Sequence, residues 1–516
     1  MRTVSLLLPS LLFTQAPHPG KAVYDQWCAG CHGDTGAGDG AAAAFMLPRP
    51  RDFTGAVYEI RSTASGELPS DSDVLRVVEG GMPGTAMPGW KSRLSPQERA
   101  DVIAYLKTFS QFFSGAAPTP LSFGKAPSES ESALREGRQI YRKLECFKCH
   151  GEAGRGDGPS ASSLKDDWGR PIRATDLTES WNFNGGAAVE EIYARLRTGL
   201  DGTPMPSFSD AIDSEVITEE QLWRVAQYVR SLSPKTAPEV REVIRAKLAP
   251  GKLPAGPADS LWSGSEAAYV PLVGQIIQKP RWFLPTVDGV WVQAVHDGTR
   301  LALRLSWHDP SRSPDPSWDE WLGRIVETAT DTDGAIPTTQ GPDRLVVQFP
   351  KRVSDEAEQP YFLGGSKRRP VYLVRWSSDS DRVDQGVGTG LGRFAPQGRS
   401  AQWSHTARFE NGQWQLQLVR PLKSADTTAA PTLVPGQAIP IGFFAADGSN
   451  GELEVRGSVS AWYSIYLEVP TPIAVYVQPV LAGLLTAGLG VFLVLRAQRA
   501  APRSERRPAK PRTPAP

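Results

Sequence analysis

The chain has 516 residues, with 56 basic and 56 acidic side chains, so its formal net charge is zero. That balance gives no indication of a nucleic-acid partner, for which a basic surface would be expected. The length predicts three or four domains.

The first residues have the composition of a targeting segment. Arg2 is followed by an apolar run, Val4–Phe13, and then by Thr14-Gln15-Ala16. This order predicts a secretory signal peptide over residues 1–16. An uncleaved N-terminal anchor is the alternative, but ten apolar residues are too few to span a bilayer.

All four cysteines of the chain lie in two C-x-x-C-H motifs, the attachment signature of c-type haem. The two thiols form thioethers with the haem vinyl groups, and the adjacent histidine is the proximal iron ligand. A zinc site would need further Cys or His ligands nearby, and disulfides would leave both histidines unexplained. The sequence therefore predicts two covalently bound haem c groups, attached through Cys28, Cys31, His32, Cys146, Cys149 and His150.

The two motifs belong to a longer repeat with an offset of 118 residues. The same offset places G-T-A-M-P-G-W at 84–90 over G-T-P-M-P-S-F at 202–208, which indicates a duplicated domain. Met87 matches Met205, whereas Met82 matches Leu200. Since a thioether is a good sixth ligand for haem iron, we predict Met87 and Met205 as the distal iron ligands and Met82 as a packing residue.

Helices are predicted on both sides of each haem motif. Short helical stretches, Lys21–Trp27 and Gly137–Glu145, precede the motifs. A capped amphipathic helix ends each repeat, beginning at Ser95 in the first and at Thr218 in the second. This arrangement resembles a small class I cytochrome c over residues 20–113 and 132–234. The resemblance implies two all-α cytochrome c domains, which we place at residues 17–113 and 132–234.

Two segments are predicted as linkers, the first rich in Pro, Ser and Gly and the second marked by repeated prolines. Residues 114–131 join the two haem domains, and residues 235–257 follow the second one. A short helical piece, Val240–Leu248, is expected inside the second linker. Residues 258–470 contain many short alternating segments with turn signals, such as Asn411-Gly412. They predict an all-β antiparallel sandwich.

Several runs in this third domain follow a family pattern. They are A-V-H-D-G at 294–298, L-R-L-S-W-H-D-P at 303–310, F-L-G-G at 362–365 and D-G-S-N at 447–450. The domain resembles the haem-binding domain of the ethylbenzene dehydrogenase γ-subunit type. That resemblance implies one b-type haem, held by a methionine and a lysine, in an electron relay to a molybdenum enzyme.

This sequence departs from that family at both iron ligands. Leu363 stands where the methionine is expected, and the lysine region at 454–458 contains Arg456 instead. Arginine stays protonated and cannot ligate iron. Replacement by His296, His308 or His405 leaves a third, b-type haem open, with structural or surface histidines as the alternative.

The C-terminal end predicts a membrane anchor. Ile473–Leu495 contains no charged residue and is long enough to cross a bilayer. Residues 496–516 carry six arginines and one lysine against one glutamate, and such a basic flank stays cytoplasmic. We therefore expect one transmembrane helix at 473–495, a cytoplasmic tail, and a haem-bearing part that faces the periplasm or the cell exterior.

These features together predict an electron-transfer protein rather than an enzyme. Six-coordinate His/Met iron has no open position for a substrate. The chain resembles the c-type cytochrome subunits of respiratory molybdenum oxidoreductases such as nitrate reductase. That resemblance implies a relay between a membrane or soluble redox partner and an oxidoreductase complex. A haem enzyme acting on a small molecule such as a peroxide, and a ligand-binding β-sandwich carrying cytochrome modules, are the alternatives.

Overall fold

The computed structural model describes residues 18–328, 335–353, 359–380, 382–399, 402–424, 430–470 and 472–500. The predicted signal peptide and the tail beyond residue 500 lie outside these residues. The chain forms two units, one that ends at Leu467 and one that begins at Glu468.

The N-terminal part of the larger unit is helical and shows the expected duplication. Its helices are α1 Pro19–Trp27, α2 Ala29–His32, α3 Asp71–Gly80, α4 Pro96–Lys107, α5 Glu131–Lys143, α6 Phe147–His150, α7 Val189–Thr198, α8 Ser209–Asp213 and α9 Glu219–Ser231.

The predicted caps of the last helix in each repeat are confirmed. The Ser95 side chain accepts a hydrogen bond from Glu98 N at the start of α4, and Thr218 accepts one from Gln221 N at the start of α9. Helix α5 begins earlier than the sequence predicts, because Ser130 accepts a hydrogen bond from Ala133 N and fixes a helical start there.

In each repeat the first helix crosses the last one at a glycine. A Cβ added to Gly20 of α1 would lie 2.0 Å from Asp101 O of α4, and one added to Gly137 of α5 would lie 2.1 Å from Arg224 O of α9. Only glycine permits so close an approach of two helix backbones. The two crossings therefore fix where each haem-attachment turn emerges from its domain.

The rest of the larger unit is mainly a sheet. Its strands are β1 Val243–Leu248, β2 Ala268–Pro271, β3 Val273–Gly274, β4 Gly289–His296, β5 Arg300–His308, β6 Arg344–Pro350, β7 Val371–Ser377, β8 Asp384–Gly388, β9 Phe394–Arg399, β10 Ser404–Glu410, β11 Gln413–Pro421, β12 Ala438–Ala446, β13 Ser458–Val459 and β14 Tyr463–Leu467. The main strand order is β10-β11-β5-β4-β1-β14-β12-β6-β7-β8-β9.

The prediction of a helical piece at 240–248 was wrong. Residues 243–248 form strand β1, which is inserted between β14 and β4 and runs parallel to both. The physical reason is that buried and exposed side chains alternate along the segment. Ile244 and Ala246 are fully buried, whereas Arg245 between them is exposed. A period of two suits a strand and not a helix. The region expected to be a linker therefore lies in the middle of the sheet.

Two further features differ from the all-β antiparallel prediction. One is the parallel pairing of β1, and the other is helix α10, Asp319–Thr328. The indole NH of Trp321 on α10 donates to Asn450 Oδ1 at 3.1 Å, and the ring of Trp318 packs beside it. Burial of these aromatic rings attaches the helix to the sheet.

The sheet folds over onto itself around one apolar core. Trp376 on β7 contacts Trp307 on β5 and Trp414 on β11, with ring centroids 5.7 and 4.8 Å apart. Five strands separate β5 from β7 in the sheet order, a separation of roughly 29 Å in a flat sheet. The contact among the three buried indoles shows that strands far apart in the sheet lie against each other.

Polar contacts hold the two helical domains together. The buried Arg61 guanidinium pairs with Asp201 at 2.6 Å and donates to Thr198 O at 2.5 Å. Asp201 also accepts hydrogen bonds from Ser65 Oγ and Gly66 N. Thr198 and Asp201 lie shortly before Met205, the second candidate distal ligand. The first domain therefore contacts the loop of the second domain that carries this methionine, which we call the distal loop.

The expected linker between the helical domains is held along much of its length. Leu121 N donates to Ser62 O at 2.8 Å in the first domain. Gln227 Nε2 donates to Pro127 O at 2.6 Å, and the ring of Phe123 packs edge-on against Tyr193 in the second domain. These contacts make the segment part of the domain interface.

Two acids, the partly buried Glu179 and the exposed Asp288, meet where the second helical domain contacts the sheet. Asn182 Nδ2 donates to Glu179 Oε2 at 3.0 Å and approaches Asp288 Oδ2 at 3.5 Å. Burial, followed by the Asp288 charge, raises the pKa of Glu179.

The second unit contains helix α11, Ala474–Ala500, which covers all but the first residue of the predicted segment at 473–495 and extends beyond its end. It is 27 residues long, and its length and apolar composition are sufficient to cross a membrane. Pro479 lies in its second turn, where the missing N–H removes one backbone hydrogen bond of the helix.

The helix crossing predicts a clear stability defect for Gly20→Ala. The added methyl would overlap the Asp101 carbonyl, and we expect a loss of about 1–3 kcal/mol, beyond the gain of about 1 kcal/mol in helix propensity. Gly55→Ala is the matched control, because its added Cβ meets no atom within 4 Å. Chemical unfolding measures the free energy of unfolding of both variants. Equal values for Gly20→Ala and Gly55→Ala would contradict the close crossing of the helices.

The acid pair at the interface predicts a dependence of stability on pH. Because the Glu179 pKa is raised, the folded state binds more protons than the unfolded state, and stability falls as pH rises above the ordinary value of 4.5. Glu179→Gln should therefore raise the free energy of unfolding at pH 8 by about 1 kcal/mol or more, which is seen as a higher thermal midpoint. At pH 4 the substitution should have little effect. The exposed Glu67→Gln is the control, and a Glu179→Gln benefit that is equal at both pH values would refute the explanation.

Candidate haem-attachment sites

Each C-x-x-C-H motif forms one helical turn. His32 N donates to Cys28 O at 2.9 Å, and His150 N donates to Cys146 O at 3.0 Å. Residues three and four positions apart on a helix share a face, so both thiols and the histidine of each motif point to one side. All four cysteines are free of disulfides. The alternative of two disulfides therefore has no support in the structure.

The thiols lie in partly apolar surroundings. Burial raises the pKa of Cys28 to about 11 and that of Cys146 to about 12. Both side chains lie against the apolar core clusters of their own domains. The Cys28 and Cys146 thiols are therefore neutral at physiological pH, and they face the apolar environment that a porphyrin requires.

Both histidines are oriented by a backbone carbonyl. His32 Nδ1 lies 2.9 Å from Arg51 O, and His150 Nδ1 lies 2.9 Å from Thr175 O. A carbonyl can only accept, so Nδ1 carries the proton in each ring and Nε2 is left as a lone-pair donor. Burial lowers the pKa of both imidazoles. This neutral tautomer, fixed by an outer hydrogen bond, is the form that ligates a metal.

A tyrosine in each first helix anchors the attachment turn, and the sequence analysis missed it. Tyr24 OH donates to Gly33 O at 2.6 Å, and Tyr141 OH donates to Gly151 O at 2.7 Å. The two tyrosines are 117 residues apart, one fewer than the motifs. The extra residue is accommodated at Glu145, which has a φ of 59°. A repeat search that allows one insertion would find this pair.

The two methionine loops have the same internal hydrogen bonds. In the first, Met82 N donates to Met87 O at 3.0 Å, and Met87 N donates to Thr85 Oγ1 at 3.1 Å. In the second, Leu200 N donates to Met205 O at 3.0 Å, and Met205 N donates to Thr203 Oγ1 at 3.2 Å. The structure thus supports the equivalence of Met87 with Met205, and of Met82 with Leu200.

The loop that carries each methionine borders the core of its own attachment motif. Met205 and Cys146 both border the apolar cluster of the second domain. In the first domain, Trp90 borders the cluster that Cys28 also contacts, and its backbone N donates to Val78 O at 2.9 Å. This bond fixes the end of the loop that carries Met87.

The histidines of the third domain do not come together. His296 pairs in register with Leu301 at one end of β5, and His308 is the last residue of that strand. The two are therefore roughly 23 Å apart along the sheet. His405 lies on β10, three strands from β4, roughly 14 Å away across the sheet. No two of these side chains can ligate one iron.

His308 instead contacts the second helical domain. Its Nε2 lies 2.5 Å from Arg155 O, in the loop that follows the second haem motif. The Leu363 side chain is buried, and Arg456 Nη2 donates to Ala335 O at 3.2 Å. The positions at which the family pattern has iron ligands are thus occupied by a packing residue and a hydrogen-bond donor.

The helical regions match a known family. A model of the cytochrome c family matches residues 18–110 and 134–233. Both regions are therefore cytochrome c domains, whose family binds haem c covalently. The donors of both motifs fit that group, because two thiols and one oriented imidazole are presented on one helical face.

Similar proteins include cytochrome subunits of respiratory complexes. A Haloferax mediterranei protein described as a respiratory nitrate reductase heme subunit is 26% identical over 210 residues, which are 41% of this chain and 67% of the relative. The Cbb3-type cytochrome c oxidase subunit CcoP of Rhodobacter capsulatus is 28% identical over 226 residues, which are 43% of this chain and 64% of the relative.

The chain thus spans about two thirds of each of these relatives. A chain of the Kuenenia stuttgartiensis reducing HAO-like protein complex is 42% identical, with a TM-score of 0.40 over 43% of this chain and 98% of that one. The similarity to respiratory cytochrome subunits supports haem-based electron transfer.

Proposed function

We propose that the chain is a membrane-anchored dihaem cytochrome c that relays electrons to or from a respiratory oxidoreductase complex. The observation that carries this proposal is the duplicated site, with the same attachment turn, the same histidine hydrogen bond and the same methionine loop in both domains. Haem c bound at such sites supplies reversible one-electron chemistry.

The roles of the residues follow from their positions. Cys28, Cys31, Cys146 and Cys149 attach the two haems. His32 and His150 present Nε2 as proximal ligands, because the Arg51 and Thr175 carbonyls hold the Nδ1 protons. Met87 and Met205 serve as the distal ligands. Iron held by a histidine and a methionine would have no open position for substrate, which favours electron transfer over catalysis.

The contacts between domains support a relay of fixed geometry. Arg61 binds the distal loop of the second domain through Asp201, while Arg155, after the second haem motif, contacts His308 of the β-domain. The first cytochrome domain also contacts the β-domain, where Arg49 donates to Thr328 O at 2.7 Å. We assign the sheet domain a positioning and docking role, and a b-type haem in it remains a prediction without an assembled ligand pair.

The partner and the membrane topology complete the proposal. The relatives named for nitrate reductase and cytochrome c oxidase favour a respiratory oxidoreductase as partner, and a molybdenum enzyme is one such class. Helix α11 anchors the chain. The basic residues after it favour a cytoplasmic C-terminus, with the haem domains on the periplasmic or extracellular side after removal of residues 1–16.

Haem counting tests the core of the proposal. A pyridine haemochrome assay on the full-length chain in detergent should give two c-type haems and no b-type haem. Cys146→Ala with Cys149→Ala should leave one, because the first site is complete in its own domain. A single c-type haem in the unmodified chain would refute the dihaem proposal, and a b-type haem would show an unidentified ligand in the β-domain.

The distal ligands are tested by potentiometric titration. Met87→His and Met205→His should each lower the potential of one haem while leaving it covalently attached, because His/Met ligation gives higher potentials than bis-histidine ligation. Met82→Leu is the matched control, since it copies Leu200 of the other repeat, and should leave both potentials unchanged. A shift in Met82→Leu together with none in Met87→His would mean that the wrong methionine was assigned.

A further inference from the structure

Three aspartates meet inside the β-domain, far from either C-x-x-C-H motif in sequence. Asp309, Asp343 and Asp447 are at most 1% exposed. One carboxylate oxygen from each lies within 4.8 Å of the other two. Unpaired carboxylates are seldom buried, because desolvation of their charge is costly. The cluster therefore needs a specific explanation.

The three residues come from three separate strand ends. Asp309 follows β5, Asp343 precedes β6, and Asp447 follows β12. The carboxylates converge only because the sheet folds over onto itself. Rigid strands thus hold the cluster, as is usual for a built ligand site.

Hydrogen bonds show that two of the carboxylates act as acceptors on fixed oxygens. Asp343 Oδ1 accepts from Gly448 N at 3.0 Å, and Asp343 Oδ2 accepts from Ser313 N at 2.8 Å and from the Trp414 indole at 3.0 Å. Asp447 Oδ1 accepts from Ser449 N at 2.8 Å and from Ser449 Oγ at 2.7 Å. These donors fix the orientation of both carboxylates.

Asp309 provides an independent sign of a ligand. Its Oδ1 accepts from Ser311 N at 3.2 Å, whereas its Oδ2 is buried and has no hydrogen-bond partner. A buried oxygen without a partner costs about 1–3 kcal/mol, and more when it is charged. An oxygen in that position, beside two further carboxylates, is suited to a cation.

The local charge balance also favours a cation. Glu452, fully buried nearby, accepts from the Trp282 indole, Thr286 N and Asn450 Nδ2. Arg173 reaches this region, but its Nη2 donates to Asn450 Oδ1 at 2.9 Å and to Thr286 Oγ1 at 3.0 Å. Arg344 also lies nearby, but it donates to the backbone carbonyls of Glu452 and Glu454. Four buried acids thus face two basic side chains, both of which donate to neutral groups.

We propose that Asp309, Asp343 and Asp447 bind one Ca²⁺ ion. Calcium takes oxygen ligands at about 2.3–2.6 Å, so two of its ligands are at most about 5 Å apart. The three aspartate oxygens meet this condition, because they lie within 4.8 Å of one another. The hydroxyls of Ser311, Ser313 and Ser449 surround the carboxylates and form hydrogen bonds with one another and with Asp447. The donor set consists of hard oxygens, which suit calcium and not a softer metal.

The ion would stabilise the surface on which the second cytochrome domain docks. Asp309 adjoins His308, which contacts Arg155 O. Asp447 begins the turn that carries Asn450, the acceptor of Arg173. Both contacts to the cytochrome domain thus start within a few residues of the ion ligands. The inference does not depend on the redox function, since it concerns the β-domain alone.

Elemental analysis and thermal unfolding of the full-length, haem-loaded chain in detergent test the proposal. The protein is dialysed against EDTA, then against excess CaCl₂, and is finally desalted. We expect one bound Ca²⁺ per chain after these steps, with iron from the covalent haems as the internal standard. Readdition of Ca²⁺ to the EDTA-treated protein should raise its thermal midpoint by about 3 °C or more.

Variants separate the calcium site from a merely protonated acid cluster. Asp309→Asn should abolish the bound Ca²⁺ and the Ca²⁺-dependent thermal shift. Glu179→Gln removes a partly buried acid elsewhere in the same unit and should retain both. An unmodified chain that neither binds Ca²⁺ nor responds to EDTA would overturn the proposal, and so would an Asp309→Asn variant that binds Ca²⁺ as well as the unmodified chain.

Discussion

The geometry of one helical turn governs both haem sites. A turn of 3.6 residues places the first cysteine, the second cysteine and the histidine of C-x-x-C-H on one face. The turn must still be held in place and its imidazole oriented. A tyrosine hydroxyl binds the carbonyl after the motif, and a distant carbonyl binds histidine Nδ1. These contacts recur in both domains, so they belong to the duplicated unit.

The second cytochrome domain is fixed from two sides. A buried arginine of the first domain holds the loop before Met205, and the β-domain holds the loop after the second haem motif. The connecting segment at 114–131 is hydrogen-bonded to both helical domains. Electron transfer depends steeply on distance, so rigid contacts of this kind suit a relay better than tethered, mobile domains.

The β-domain departs at both iron-ligand positions from the family that its sequence resembles. Leu363 and Arg456 stand at these positions and offer no iron ligand. In the D-G-S-N run, Asp447 accepts from Ser449, and Gly448 N donates to Asp343. The arrangement joins strand ends from across the sheet and supports the contact with the second cytochrome domain.

Local patterns predicted much of the helical part. The attachment motifs, the methionine pairing, the caps at Ser95 and Thr218 and the apolar C-terminal helix all depend on residues close together in sequence, where spacing alone carries the information. The same reasoning failed at residues 240–248. That segment is bounded by prolines and was assigned to a linker, although its alternation of buried and exposed residues is that of a strand.

The sequence by itself determined which residues can attach haem, which methionine corresponds to which, and which segment is apolar enough to cross a membrane. Only the tertiary structure decided that β1 lies in the middle of the sheet, that three candidate histidines stand too far apart to share an iron, and that three aspartates from separate strand ends converge. The physical reason is that these outcomes depend on strand order and on the folding of the sheet over itself. Both are set by contacts between residues far apart in the chain, which no local periodicity records.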